Sequence, residues 1–174
     1  MIKQDTLENL AKTVYLGIGS NLGNKFENIE TAKLKLILHD IKIITCSSKY
    51  ETLSWPNQKN PKFINVVIKI KTFLPPLKLL QICSQIEDEL GRKRINKNEP
   101  RTCDIDIIDY DQKVLKYKNK QKLILPHPEI SLRNFVLIPL FEISKKWIHP
   151  ETKIKIVSLI DLLSINDIRT IKQI

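Results

Sequence analysis

The chain has 174 residues, 42% of them hydrophobic and 28% charged, which is typical of one water-soluble globular domain with its own core. No apolar run approaches the roughly 18 residues of a membrane span, and the N-terminus lacks the apolar stretch of a signal peptide, so we expect a cytoplasmic protein. The net charge of +10 favours an anionic ligand. Residues 1–12 are polar and predict an N-terminal extension before a single domain over residues 13–174.

The first half of the domain predicts a strand and a helix joined by a glycine-rich turn. Residues 13–18 predict a buried strand, residues 19–23 a turn, and residues 25–38 a helix capped by Ser20 or Asn21. Five side chains form the imperfect apolar stripe of this helix: Phe26, Ile29, Leu34, Ile37 and Leu38.

The middle of the chain predicts two further strands and a second helix. Residues 41–46 predict a strand, and residues 47–61 a long loop, because they carry prolines, asparagines and serines. Residues 63–70 predict a third strand. A helix over residues 77–90 follows two prolines, and Gly91 is placed as its C-terminal cap.

Residues 104–110 predict a fourth strand, and residues 114–115 and 123–124 predict short additional ones. Helices are predicted over residues 132–144 and 157–164. The repeated order β-α-β indicates a split βαβ plan, with an antiparallel or mixed sheet and helices packed against it.

Two carboxylates on the predicted fourth strand form the most informative motif. Side chains of a strand alternate between faces, so Asp104 and Asp106 share one face while Ile105 and Ile107 lie on the other. A divalent cation held by carboxylates and substrate phosphates would relieve their repulsion, and the nearby Arg101 suits a phosphate. A solvated face of an edge strand is the alternative for this pattern alone.

Arginines are unevenly distributed along the chain. Four of the five lie between residues 92 and 133, namely Arg92, Arg94, Arg101 and Arg133. Such a cluster favours a polyanion, either a nucleotide or a nucleic acid.

Three other motifs have a structural and a functional interpretation. Residues 17–23 resemble a dinucleotide fingerprint, but Leu22 occupies the third glycine position, so a tight turn is favoured. Phe63 and Asn65 share a strand face and suit a flat heterocycle, or are a core Phe and a solvent-facing Asn. His127 lies between prolines, where it contacts phosphate or is only a turn residue.

Six segments in order resemble the 6-hydroxymethyl-7,8-dihydropterin pyrophosphokinase family of folate biosynthesis. They are residues 17–23, 48–52, 63–65, 86–94, 99–106 and 125–140. The resemblance implies an α+β fold with a ferredoxin-like split βαβ core, in which helices pack on both sides of a mainly antiparallel sheet as three α/β/α layers. It also implies that residues 13–174 are one catalytic domain.

The resemblance implies transfer of diphosphate from ATP to the pterin hydroxymethyl group, releasing AMP. Asp104 and Asp106 would hold two magnesium ions, and Arg92 and Arg101 would clamp the phosphates as catalytic residues. The resemblance implies these nucleotide-binding residues: Glu87, Arg92, Arg94, Arg101, Lys122, His127 and Arg133. It implies these pterin-binding residues, with the two phenylalanines sandwiching the ring: Thr52, Leu53, Ser54, Phe63, Asn65 and Phe135.

The chain departs from the family pattern at two places. Asn98-Glu99 replaces a common Trp-Gly, and Ser84 replaces a common Gln, which puts one nucleotide contact in doubt. We expect a monomer that binds neither nucleic acid nor membrane. The alternatives are a basic nucleic-acid-binding domain on a ferredoxin-like plan and a degenerate relative kept as a structural partner.

Overall fold

A computed structural model describes residues 10–54, 57–92, 99–118 and 122–174. The strands are β1 Lys12–Ser20, β2 Lys42–Cys46, β3 Tyr50–Thr52, β4 Phe63–Thr72, β5 Asp104–Tyr110, β6 Leu115–Tyr117, β7 Leu123–Leu125 and β8 Ile171–Gln173. The helices are α1 Lys25–Leu38, α2 Pro76–Glu89, α3 Asn134–Ile143, α4 Ile156–Asp161 and α5 Ile165–Arg169, with a 3-10 turn at Ile130–Leu132.

The described strands form one large antiparallel sheet and one small one. The large sheet has the order β5-β1-β4-β3-β8, and β2 pairs with β4 beside β3. Every strand pair is antiparallel. Strands β6 and β7 form the separate two-stranded sheet. The predicted mainly antiparallel sheet is confirmed.

Helices cover both faces of the large sheet, because the strands place apolar side chains on both sides. On one face, Leu16 of β1 packs in a core with Ile29 of α1 and Leu79 of α2. On the other face, Tyr15 of β1 packs in a second core with Leu137 of α3. Neighbouring residues of β1 thus point into different cores, as period two requires. The predicted three-layer arrangement is confirmed.

Helix α1 has the predicted bounds but not the predicted core face. Ile29, Ala32 and Leu36 are buried, whereas the other four members of the predicted stripe are exposed, namely Phe26, Leu34, Ile37 and Leu38. The three buried residues are spaced three and four positions apart and so lie on one helix face, which packs on the sheet. Packing against the sheet decides which face is buried, and the number of apolar residues on a face does not.

The predicted cap of α1 was also wrong. Asn24 is the N-cap, and its side chain accepts a hydrogen bond from the Glu27 amide at 3.3 Å. Ser20 and Asn21 are instead buried. Gly91 follows α2 with a φ of 82°, in the left-handed region that favours glycine after a helix, so its predicted capping role is confirmed.

Three local predictions needed correction. The predicted loop over residues 47–61 contains β3, the predicted helix over residues 132–144 begins at Asn134 after the 3-10 turn, and β8 was missed. Each missed element is only a few residues long, too short to show periodicity. Strand β1 begins at Lys12, so this last residue of the predicted extension already pairs in the sheet.

No helix among the described residues has the length and apolar character that crossing a membrane requires.

Candidate active site

The antiparallel register brings three strand ends together at one edge of the sheet. Gly19, near the end of β1, pairs with Asn65 of β4 on one side and with Asp104 of β5 on the other. These strand ends border a cavity of about 190 Å³, which is also lined by Asp106 and Phe63. The register therefore joins the predicted carboxylate motif to the predicted aromatic–amide motif.

Asp104 and Asp106 lie on one face of β5, as predicted. Both line the cavity, while Ile105 and Ile107 are buried in the core on the opposite face. Strand β5 is an edge strand, but the Asp104 side chain is only 19% exposed. A merely solvated carboxylate would be far more exposed, so this alternative does not describe Asp104.

Two arginines hold the Asp104 carboxylate. Arg92 Nη1 lies 2.5 Å from Oδ1, and Arg101 Nη2 lies 2.5 Å from Oδ2. Burial alone would raise the pKa of Asp104, but the charges and hydrogen bonds of Arg101 and Arg92 outweigh it and lower the pKa. Asp104 is therefore an anion at neutral pH.

Asp106 is held by a different arginine. Arg133 Nη1 donates to Asp106 Oδ2 at 2.7 Å, and Arg133 Nη2 donates to Glu129 Oε2 at 2.5 Å. His127 Nε2 lies 3.9 Å from the same Asp106 oxygen. Burial lowers the pKa of His127 although Asp106 opposes the shift, so the imidazole is neutral at pH 7.

Glu87 lies beneath this cluster and does not line the cavity. Its buried carboxylate accepts a hydrogen bond from the Ile105 amide at 2.6 Å and lies 2.6 Å from Arg92 Nη1. The residue thus connects helix α2 to β5 and orients Arg92. The family resemblance implies that Glu87 binds nucleotide. Its position beneath the cluster indicates that it supports the site through Arg92 and β5.

Two aromatic rings line the cavity beside the carboxylates. Phe63 begins β4, and Phe135 lies in the first turn of α3. The guanidinium carbon of Arg101 is 5.1 Å from the centroid of the Phe63 ring, and that of Arg133 is 5.6 Å from the centroid of Phe135. Both arginines thus contact a ring and a carboxylate, which restricts their orientations.

Polar groups occur at the inner edge of the cavity. Asn65 Nδ2 donates to Thr52 Oγ1 at 2.8 Å, and both residues line the cavity together with Leu53. The predicted shared face of Phe63 and Asn65 is confirmed. Ser54 was predicted to bind pterin together with Thr52 and Leu53, but it is not among the residues that line the cavity. It is buried, and its hydroxyl donates to the Pro61 carbonyl at 2.5 Å.

Asn21 connects the segments around the cavity. Its side chain donates to Ser54 Oγ at 3.2 Å and to the Pro61 carbonyl at 3.0 Å, and it accepts from the Arg101 amide at 2.7 Å. The predicted helix cap is therefore a buried hydrogen-bonding centre. Its partners lie 33 to 80 residues away in sequence, so no local pattern could indicate them.

Two predicted nucleotide-binding residues lie elsewhere or cannot be placed. Lys122 borders a separate surface hollow along α2, together with Ser84 and Asp88. Arg94 lies outside the described residues. The structure thus brings together most of the predicted phosphate and pterin residues that it describes, but not Lys122.

The sequence assigned no role to several lining residues. Among them are Glu129, Gly19 and Val136. Glu129 precedes Arg133 by four residues, a spacing typical of ion pairs on helical turns, and this was the available signal. Gly19 was interpreted only as part of a turn, because strand pairing is not visible locally.

Comparison with known proteins gives the family. The model of the 7,8-dihydro-6-hydroxymethylpterin-pyrophosphokinase (HPPK) family matches residues 15–145. The chain belongs to the HPPK family. The matched residues include every lining residue of the cavity.

Individual relatives differ in length from this chain. It is 38% identical over 144 residues to a 2-amino-4-hydroxy-6-hydroxymethyldihydropteridine pyrophosphokinase of Haemophilus influenzae. That match covers 82% of this chain and 88% of the relative. It is 37% identical over 168 residues to the folic acid synthesis protein fol1 of Pneumocystis carinii, covering 97% of the chain. The chain spans only 22% of that longer relative.

A solved structure shares the fold. A variant of Plasmodium falciparum HPPK-DHPS, crystallised with pterin and p-hydroxybenzoate, superimposes with a TM-score of 0.72 at 16% identity. The match covers 94% of this chain and 47% of that chain. This likeness confirms the α+β HPPK fold.

Gly19→Ala should destabilise the protein. A Cβ at this position would lie 2.8 Å from Asn65 Oδ1 and 3.4 Å from Phe63, so Asn65 must move away from Thr52. We expect a loss of about 1–3 kcal/mol in the free energy of unfolding, as for other overpacked sites, measured by urea denaturation. Gly17→Ala is the matched control, because its Cβ would meet Ile108 at 3.4 Å, close to an ordinary contact. Equal stability of the two variants would contradict the packing argument.

Proposed function

We propose that this chain transfers diphosphate from ATP to the hydroxymethyl group of 6-hydroxymethyl-7,8-dihydropterin, producing AMP and the pterin diphosphate. One observation carries the proposal. The cavity between Phe63 and Phe135 opens directly onto Asp104 and Asp106, so an aromatic site adjoins a carboxylate–arginine site. Family membership and the names of the relatives support the same reaction.

The pterin is proposed to lie between the two phenylalanine rings. A flat bicyclic ring gains stacking area there, and the polar edge formed by Asn65, Thr52 and the Leu53 backbone suits its amide and amino groups. Ser54 follows Leu53 in the chain and is held by hydrogen bonds with Asn21 and the Pro61 carbonyl. The cavity thus provides stacking for the ring faces and hydrogen bonds for one ring edge.

Magnesium fits the donor set of the site. No cluster of three or more metal-binding side chains occurs among the described residues, so these residues form no all-protein cage. Two carboxylates suit magnesium, which takes one or two of them and completes its shell with water and phosphate oxygens. Asp104 and Asp106 would hold the ion, and we propose two ions when ATP is bound. When bound, magnesium neutralises phosphate oxygens and so favours attack on phosphorus.

The arginines can exchange carboxylate oxygens for phosphate oxygens. Four carboxylates, Glu87, Asp104, Asp106 and Glu129, contact three arginines, so the ligand-free cluster has four negative and three positive charges. With magnesium held by Asp104 and Asp106, Arg92 and Arg101 would be free to bind phosphate oxygens in pairs.

The chemistry requires one displacement at phosphorus. The pterin hydroxyl oxygen bonds to the β-phosphorus, the bond from that phosphorus to the bridging oxygen of AMP breaks, and the hydroxyl proton is released. Arg92 and Arg101 stabilise the negative charge that develops on the transferred group. Reactions of this kind depend mainly on positioning and electrostatics.

Other parts of the proposal rest on the family resemblance. Arg94, Lys122 and His127 are proposed to contact the nucleotide, and Arg133 to contact its phosphates after leaving Asp106. We also propose that the protein acts in the cytoplasm as a monomer on these small molecules, without nucleic acid or membrane.

A product assay tests the function. The protein is incubated with ATP, magnesium and 6-hydroxymethyl-7,8-dihydropterin, and AMP is separated from ADP. We expect AMP that depends on the pterin. Formation of ADP would indicate single-phosphoryl transfer and refute the proposal. Absence of turnover by folded protein would favour the binding-domain or degenerate-relative alternatives.

Asp104→Ala and Asp106→Ala should each abolish turnover without unfolding the protein. Each change removes a proposed magnesium ligand together with one carboxylate partner of the nearby arginines, so we expect a loss of about a hundredfold or more in kcat. Asp111→Ala is the control, because this carboxylate pairs with Lys12 outside the cavity. Normal turnover in either Asp104 or Asp106 variant would refute the metal assignment. Circular dichroism would verify the fold.

Phe135→Ala should weaken pterin binding much more than ATP binding. Loss of one stacking face typically costs about 1–3 kcal/mol for a flat heterocycle, which corresponds to roughly five- to 150-fold in affinity. Calorimetry with each ligand measures both effects. Phe141→Ala on the same helix is the control, since Phe141 packs on the second core and does not line the cavity. Equal losses for pterin and ATP would argue against the stacking role.

A further inference from the structure

The C-terminal segment, residues 164–174, contacts both sides of the proposed pterin site. Its strand β8 pairs with β3, with Ile171 opposite Thr52 at the polar edge of the cavity. Its helix α5 contacts Asn134, which precedes the stacking residue Phe135. One short segment therefore touches the strand of Thr52 and the helix of Phe135.

Asn134 makes the connection through both ends of its side chain. Its Oδ1 accepts a hydrogen bond from the Phe135 amide at 2.7 Å, and its Nδ2 donates to the Asp167 carbonyl and, at 3.2 Å, to Thr170 Oγ1. Amides in the first turn of a helix lack partners within the helix, so this side chain supplies one. The backbone of Phe135 is thereby attached to the C-terminal segment.

Helix α5 is well suited to hold Asn134. It begins with a capping box in which Ser164 and Asp167 exchange hydrogen bonds, so its short turn is stabilised independently of α3. At its other end the Thr170 hydroxyl donates to the Asp167 carbonyl at 2.8 Å. Both acceptors of Asn134 are therefore held in fixed positions relative to each other.

A second connection holds the other end of α3. Gln173 of β8 donates to Ser48 Oγ at 2.9 Å, and Ser48 Oγ donates to Glu142 Oε1 at 2.8 Å. Tyr50 of β3 donates to Glu142 Oε2 at 2.9 Å. Helix α3 is thus bonded at its start to Asp167 and Thr170 through Asn134. At its end, Glu142 bonds to Tyr50 of β3 and, through Ser48, to β8.

We propose that Asn134 is a positioning residue that sets the distance between Phe135 and Phe63 through its hydrogen bonds to Thr170 and the Asp167 carbonyl. This inference rests on the proposed function, because it concerns how tightly the pterin is held. Stacking depends steeply on ring separation, since dispersion contacts weaken when atoms move apart by a fraction of an ångström. Arg92 and Arg101 bind phosphate from other elements, and the Arg133 side chain is held by Glu129 and not by Asn134, so ATP binding should change little.

Two substitutions at Thr170 test the proposal. Thr170→Val keeps the shape but removes the hydroxyl that Asn134 contacts, whereas Thr170→Ser keeps the hydroxyl and removes the methyl group. We expect Thr170→Val to raise the pterin KM about fivefold, the change that corresponds to one modest hydrogen bond, with less than about a twofold change in the ATP KM. Thr170→Ser should behave like the wild type. A purely structural packing role would give the reverse order, and that result would overturn the proposal.

Asn134→Ala and the double variant provide a second measurement. If both residues act through one hydrogen bond, the pterin KM of Asn134→Ala with Thr170→Val should equal that of Asn134→Ala alone. Asn166→Ala on the exposed side of α5 and Thr152→Val on an exposed turn are matched controls that should leave both KM values unchanged. Additive effects in the double variant would contradict a shared hydrogen bond.

Amide exchange separates this proposal from the proposed function. The exchange rate of the Phe135 amide, followed by NMR, should rise in Asn134→Ala and Thr170→Val and stay at the wild-type value in Asn166→Ala. Unchanged exchange would overturn the proposal whatever the reaction is. Faster exchange together with a wild-type protein that makes no AMP would refute the proposed function and the pterin part of this inference. Normal turnover with an unchanged pterin KM in Asn134→Ala would refute the positioning role alone.

Discussion

The site depends on balancing the charge of Asp104, a carboxylate that is largely removed from water. Burying an anion without partners is very costly, and here Arg92 and Arg101 each contribute one short contact. Glu87 in turn holds Arg92 and the backbone of β5. Helix α2, the segment before β5 and the strand itself are therefore fixed relative to one another by one charged cluster.

The same balance explains how the site can accept a highly charged substrate. Before ligand arrives, the arginines neutralise the carboxylates and thus keep the cluster close to electrically neutral. In the proposed reaction, Asp104 and Asp106 would hold magnesium while the arginines would bind phosphate oxygens, so each of these buried side chains would keep a partner of opposite charge.

The antiparallel sheet brings the pterin site to this cluster. Because β1 runs antiparallel to both neighbours, its end at Gly19 lies beside the beginnings of β4 and β5, where Asn65 and Asp104 are found. A glycine between them leaves room for the cavity, as the short Cβ distance to Asn65 indicates. On the opposite wall, Phe135 depends on helix α3, which the C-terminal segment attaches to β3.

Much of this arrangement could be predicted from the sequence, because the signals were periodic or local. Period two was sufficient to place Asp104 with Asp106 and Phe63 with Asn65, and six ordered motifs indicated the family. The antiparallel three-layer fold followed from the order of the elements and from the resemblance. Helix α1 has the predicted bounds, yet its buried face was misjudged. Apolar residues occur on more than one face of this helix, so the sequence did not show which face packs on the sheet.

Backbone geometry alone makes side chains alternate along a strand, so the sequence was enough to show which residue types share a strand face. The partners of these side chains became visible only in the folded chain: Arg92 and Arg101 on Asp104, Asn21 on the Arg101 amide, and Asn134 on Thr170. Except for Arg101, three residues before Asp104, these contacts join residues 12 to 80 positions apart. Such pairings depend on how the sheet and helices pack, and a pattern that repeats every two or four residues contains no information about them.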